Sequence, residues 1–132
     1  MELKILTPSE RFTETSAEEI TAHGPKGEFG ILPGYTHFIT PLGMGPLRYT
    51  KDGKEHSLFV EGGFMEIFEE TVVVAADHVE LSRHLQPEQK VIETRLQELE
   101  TQLGSETLSP DDFRRLSLQR DREQARLAAL GH

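Results

Sequence analysis

The hydrophobic period of this chain changes once, at Pro87. Upstream, apolar residues come in short runs rich in β-branched side chains and separated by turn residues. All 11 glycines except Gly104 and Gly131, and five of the 7 prolines, precede Pro87. Downstream the apolar residues recur at helical spacing. A chain of 132 residues with this one switch predicts a β-sandwich of about 8–10 short antiparallel strands over residues 1–86, followed by an antiparallel helical hairpin over 87–132.

The strand runs begin at Leu3 and Ile5. Glu18 to Ala22, Phe29 to Leu32 and His37 to Leu42 supply further candidates. Leu47–Thr50 and His56–Val60 flank Lys51-Asp52-Gly53-Lys54, and an Asp-Gly pair between two apolar runs signals a hairpin. Phe64–Phe68 and Thr71–Ala75 flank Glu69-Glu70 in the same manner. In the helical part, Pro87 suits a first turn, and Ile92, Leu96, Leu99 and Leu103 form one stripe that Gly104 ends. Ser109-Pro110-Asp111-Asp112 combines an N-cap, Pro at the first helical position and acids at the positive end of the dipole. This predicts a second helix to about Leu130. Its middle, Gln119 to Gln124, is almost wholly polar, so it reads either as a marginal element that docks and detaches or as a plain packing helix with a polar waist.

Charge narrows the function. The net charge of −9 argues against general nucleic-acid binding. Its distribution is uneven: −7 over residues 1–86, −2 over 87–104 and 0 over 105–132, where five arginines and no lysine occur. Arginine favours bidentate pairing with carboxylates, so that tail reads as a contact for an acidic protein partner or as a helix with internal ion pairs. No cysteine is present, which excludes disulfide and thiolate chemistry. No apolar run approaches the roughly 20 residues that cross a bilayer. The start resembles neither a signal nor a transit peptide, and a cytoplasmic setting is expected.

Catalytic motifs are missing: there is no Walker loop, GxGxxG, HExxH or nucleophile elbow. Histidines stand at 23, 37, 56, 78, 84 and 132. His78 and His84 with Asp77 and Glu80 are a conceivable metal set, but no helical i, i+4 pair supports one. Glu66, Glu69 and Glu70 read as a solvated hairpin end. No catalytic, cofactor or metal residue is therefore assigned. A β-barrel small-molecule binder or enzyme with a helical tail is the competing reading, and a structural adaptor built on the same sandwich is a third.

The segment Gly27-Glu28-Phe29-Gly30-Ile31-Leu32-Pro33-Gly34-Tyr35-Thr36-His37-Phe38-Ile39-Thr40 resembles the pattern G-[ED]-x-G-[IV]-L-P-G-H-A-P-[LF]-[LV]-T of the epsilon subunits of F-type ATP synthases. Glu61-Gly62-Gly63-Phe64-Met65-Glu66-Ile67 is similar to the family's S-G-G-F-x-E-V, and Val72-Val73-Val74-Ala75-Ala76-Asp77 to its V-T-V-L-A-D. Leu3-Lys4-Ile5-Leu6-Thr7-Pro8 also fits. Tyr35 and His37 depart from the usual His and Pro.

The resemblance implies a non-catalytic rotor subunit of the central stalk, coupling ion flow through the membrane ring to ATP synthesis. The sandwich would clamp the gamma subunit and rest on the ring of c subunits, with Glu28 as ring contact. Phe38, Met44 and Phe64 are expected on one apolar face that meets gamma. The helices would reach the beta and alpha subunits and inhibit hydrolysis, with Arg114, Arg115, Arg122 and Arg126 as contacts. Gln86 and Gln89 replace the Asp and Arg of the motif by which some bacterial relatives bind ATP, so no cofactor and little affinity for ATP are expected. The implied location is peripheral, on the cytoplasmic side of a bacterial inner membrane, without direct insertion.

Overall fold

A computed structural model describes residues 1–9, 11–34 and 37–130, with the side chains of 11–13 outside the description. Tyr35 and His132 thus lie outside the described residues. Ten strands precede the helices: β1 (Glu2–Leu6), β2 (Arg11–Ser16), β3 (Glu19–Gly24), β4 (Gly27–Ile31), β5 (Phe38–Pro41), β6 (Met44–Lys51), β7 (Lys54–Glu61), β8 (Phe64–Phe68), β9 (Thr71–Ala75) and β10 (His78–Leu81). They form two five-stranded sheets, β2-β1-β9-β8-β5 and β10-β7-β6-β3-β4. The first is termed the open sheet and the second the covered sheet.

One pairing differs from the expected antiparallel sandwich. β1 runs parallel to β9, with Leu3 opposite Val72 and Ile5 opposite Val74. The other strand pairs are antiparallel, and most join neighbours in sequence. The parallel pair closes the open sheet across most of the sandwich sequence, a contact that no local turn signal announces. β2 and the short β10 were also not among the expected runs.

Both predicted hairpins form. Asp52 and Gly53 take φ of 52° and 75°, and Glu69 and Glu70 take 47° and 67°. Two successive positive φ values make the primed turn that matches strand twist. The Glu-Glu turn adopts it without glycine. Glu70 helps fix it: its Oε1 accepts from the Gly34 N–H at 3.2 Å, and its carbonyl accepts from the Glu2 N–H at 2.8 Å.

Burial differs between the sheets. In β8, Met65 and Ile67 are buried while Phe64, Glu66 and Phe68 are exposed, the alternation of a sheet with one covered face. In β6 and β7 three consecutive residues are buried, Gly45-Pro46-Leu47 and Leu58-Phe59-Val60. Both faces are covered there. Leu47, Leu58 and Val60 join the sandwich core with Leu3, Ile5, Ile20, Met65 and Val74. Phe59 points the other way, into a second cluster with Leu85, Ile92, Ala129 and Leu130.

That second cluster belongs to the helices. α1 (Ser82–Leu85), a 3₁₀ turn (Gln86–Glu88), α2 (Gln89–Leu103) and α3 (Pro110–Ala128) follow the sandwich. Helical backbone therefore starts at Ser82, ahead of Pro87, which instead sits in the 3₁₀ turn. On α2, Ile92 and Leu99 are buried and Leu96 and Leu103 half-buried, as the stripe predicts. Gly104 ends the helix at φ −78°, so its role is not the left-handed one usual for a C-terminal glycine. Ser109 caps α3 by accepting from the Asp112 N–H at 3.1 Å.

Candidate functional site

The open sheet presents an apolar outer face. Strand alternation and register put Ile39 beside Glu66, Pro41 beside Phe64 and Phe64 beside Ala75, all on the side away from the core. Phe68 follows Phe64 on the same face. Ile39, Phe64 and Phe68 are 61%, 58% and 52% exposed, large values for side chains of this size. His37 packs edge-on against Phe68, with centroids 5.3 Å apart, and lies 3.5 Å from Glu66 at its Nε2. Apolar surface of this kind, flanked by ionisable groups, is a candidate docking face.

The three residues expected to share one gamma-binding face do not do so. Phe64 lies on the exposed face just described. Phe38 stands opposite Ile67 in the register, hence on the core side of edge strand β5, and meets Phe29 edge-on at 6.4 Å. Met44 is on the covered sheet and packs half-buried against the helical cluster. Its own hairpin occupies the surface that Met44 would offer. Ile39 and Phe68 were missed, although the spacing Phe64-x-Glu66-x-Phe68 already placed both phenylalanines on one face.

The covered sheet is sealed by α3 through a polar seam. The Arg126 side chain is buried, and its guanidinium makes five N–H···O contacts with three carboxylates. Nε and Nη2 reach Glu80 on β10 at 2.9 and 3.2 Å. Nη1 reaches both oxygens of Glu123, one turn back on α3, at 3.1 and 3.0 Å. Nη2 also reaches Glu88 in the 3₁₀ turn at 3.3 Å. Every donor of the fork is used. Burial works against this charge, but the hydrogen bonds to Glu80 and the charges of Glu80 and Glu123 outweigh it, holding the guanidinium above its usual range.

Further contacts extend the seam. Arg95 on α2 reaches Glu123 at 3.3 Å. Arg122 pairs with Glu61 of β7 at 3.2 Å and lies 5.7 Å above the Phe59 ring, a cation–π arrangement. Arg48 of β6 donates to the Ala128 carbonyl at 3.0 Å, placing a cation at the negative end of α3. The polar waist of α3 is thus an ion-paired docking surface, with Arg122 and Arg126 engaged inside the chain. Arg114 and Arg115 instead point to solvent, 81% and 59% exposed, and pair only with Asp111 and Asp112.

The remaining candidates lie apart from both surfaces. Glu28 is exposed on β4 beside the Gly27 turn, 3.9 Å from the His23 ring. Gln86 and Gln89 hydrogen-bond to each other at 3.2 Å on the surface. Among the described residues, no set of three or more histidines and carboxylates is placed to hold a metal ion. His78 lies 3.8 Å from Glu80 and edge-on to Phe59, at the rim of the seam.

Sequence comparison agrees with this arrangement. A family model described as "ATP synthase, Delta/Epsilon chain, beta-sandwich domain" matches residues 1–82. An ATP synthase epsilon chain of Citrifermentans bemidjiense is 33% identical over 114 residues, covering 86% of this chain and 81% of that one. An ATP synthase epsilon chain of Desulforapulum autotrophicum is 42% identical over 88 residues, 65% of this chain and 64% of that one. A chain from the cryo-EM structure of the Euglena gracilis mitochondrial ATP synthase, OSCP/F1/c-ring, superposes with a TM-score of 0.81 at 18% identity, over 97% of this chain and 79% of that chain. One from the Tetrahymena thermophila mitochondrial ATP synthase, central stalk/c-ring, gives 0.64 at 11% identity, over 98% and 95%. At such identities the superpositions establish the shared fold, helical hairpin included. The chain belongs to the delta/epsilon chain family of ATP synthase subunits.

Proposed function

We propose that this chain is a rotor subunit of the central stalk of an F-type ATP synthase, non-catalytic itself, which couples ion flow through the membrane ring to ATP synthesis. The observation that carries this reading is the inequality of the two sandwich faces. The covered sheet has its partner inside the chain, whereas the open sheet exposes Ile39, Phe64 and Phe68 on one face. A subunit that must turn rigidly with a shaft needs one such face for an obligate contact. The gamma subunit is assigned to it. Glu28, at the end of the sandwich formed by the β3–β4 turn, is assigned to the polar loops of the c ring. The helical hairpin is the element that faces the beta and alpha subunits when inhibition of hydrolysis is required.

Two features bear on membrane insertion and on nucleotide binding. No helix among the described residues is long and apolar enough to cross a membrane. In this reading membrane association is peripheral, through the ring, on the cytoplasmic side in a bacterium. Gln86 and Gln89 lack the charges of the Asp and Arg they replace, and little affinity for ATP is expected.

Co-expression with gamma tests the reading. Phe64→Asp and Phe68→Asp on the exposed face should abolish co-purification while circular dichroism and melting of the free chain stay unchanged. Met44→Asp should unfasten the hairpin and leave gamma bound. Retention of gamma by both phenylalanine variants would remove the open sheet from consideration.

A further inference from the structure

His23 is fastened to the end of the sandwich that carries Glu28 by contacts that a solvated surface histidine does not need. It stands directly across from Glu28 in the β3–β4 ladder, one pair before the Gly24–Gly27 end of the hairpin. β3 pairs with β6 only through Glu19, Ile20 and Thr21, so the ladder to β6 has ended before His23 is reached. Backbone and side chain of His23 bridge the gap instead. Its carbonyl accepts from the Gly43 N–H at 2.9 Å, and its Nδ1 lies 3.3 Å from the Pro46 carbonyl oxygen. The ring lies over Gly45, where a Cβ would come within 2.7 Å of Cγ and 2.8 Å of Nδ1. Gly45 leaves the space that the imidazole occupies.

This seating decides which nitrogen meets Glu28. A carbonyl oxygen only accepts, so Nδ1 carries its hydrogen toward Pro46. Nε2 is then left to face β4, 3.9 Å from a Glu28 carboxylate oxygen. The His23 and Glu28 side chains are 30% and 52% exposed, so the partner fixed to β6 is the better covered of the two. A neutral ring with its hydrogen on Nδ1 would turn a lone pair toward the carboxylate. The imidazolium turns a donor toward it, and a charge-assisted contact results. A glutamate at an exposed hairpin end otherwise samples several rotamers, and any partner must first order it.

We propose that His23 is a positioning residue: an imidazolium anchored to β6 that holds the Glu28 carboxylate ready for N–H donors on the polar loops of the membrane ring. The proposal rests on the assignment of Glu28 to the ring in the stalk reading. Pro46 orients the imidazole, Gly45 admits it, and Nε2 restrains the carboxylate. An exposed pair of this kind adds little to the stability of the fold, so its loss is read in binding and in the order of Glu28, not in melting.

Two measurements on the full chain test it. By nuclear magnetic resonance, three-bond couplings about the Glu28 χ1 bond should report one dominant rotamer. His23→Gln keeps a donor for Pro46 but removes the charge, and it should average those couplings. Binding of the full chain together with gamma to the detergent-solubilised membrane ring should weaken roughly threefold in His23→Gln and recover in His23→Arg, which restores a cation. Circular dichroism should show the same melting for each variant. Glu28→Gln should weaken ring binding at least as much. Combined with His23→Gln it should cost no more than Glu28→Gln alone, because His23 acts only through that carboxylate. Unaltered Glu28 couplings in His23→Gln, or additive losses in the double variant, would overturn the proposal. Ring binding untouched by Glu28→Gln would instead remove Glu28 from the ring in the stalk reading, and the role of His23 there with it.

Discussion

Gly63 carries one of the strictest requirements in the chain. It sits at φ +97°, and a Cβ there would collide with the Ala75 carbonyl oxygen. Its neighbour Gly62, at φ +72°, would press on the Asp77 carboxylate. The Gly-Gly pair therefore exists because β7 must cross to β8 while β9 passes close by. Gly63→Ala should lose about 3 kcal/mol or more in urea unfolding, from left-handed strain and the clash together. Tyr49 shows how burial acts on a titrating group. Burial opposes its phenolate, and the nearby Arg83 charge offsets this only in part, so its pKa is raised above the ordinary 10.0. The neutral phenol then contributes stability that is present below pH 10.0 and lost as pH rises through the folded value. Tyr49→Phe should flatten the fall in urea midpoint as pH rises above about 10.

Elements differ in how much of them local sequence dictates. The Asp52-Gly53 turn, the Ser109 cap and the α2 stripe are local chemistry and were legible. β2 and β10 were not, and the runs that marked β6 and β7 were read as strands without the cover that both of their faces have. Leu58-Phe59-Val60 already carried that signal: three consecutive large apolar residues need cover on both sides. Pro46 sits within β6, where β3 pairs only from Arg48 onward, so no β3 ladder partner misses its N–H. The polar waist of α3 left two readings open for a related reason. A helix docked on carboxylates reads as solvated until the sheet beneath it is known. Truncation after Gln86 should therefore leave the sandwich folded on its own core, with unchanged exchange protection in β1 and β9. It should also bare Phe59 and bind a hydrophobic dye, and Phe59→Ser in the truncated chain should abolish that binding.

At the scale of the whole molecule the four arginines of α3 separate into two pairs with opposite expected effects. Arg114 and Arg115 face solvent near the start of α3, paired with Asp111 and Asp112. Arg122 and Arg126 hold the hairpin to its own sandwich. If the released hairpin is what slows hydrolysis, removing the first pair weakens the brake and removing the second engages it. Assembled synthase carrying Arg114→Ala with Arg115→Ala should hydrolyse ATP about twofold faster or more, as charge-assisted contacts are lost. Truncation after Gln86 should raise the rate further, since no helix remains to reach the catalytic subunits. Arg126→Ala should lower it, because a hairpin freed from Glu80 spends more time extended. The sign of that last change discriminates between models. A rise with Arg126→Ala would mean that the buried arginine itself makes the inhibitory contact, and equal rates in all variants would make the hairpin a structural brace for the rotor.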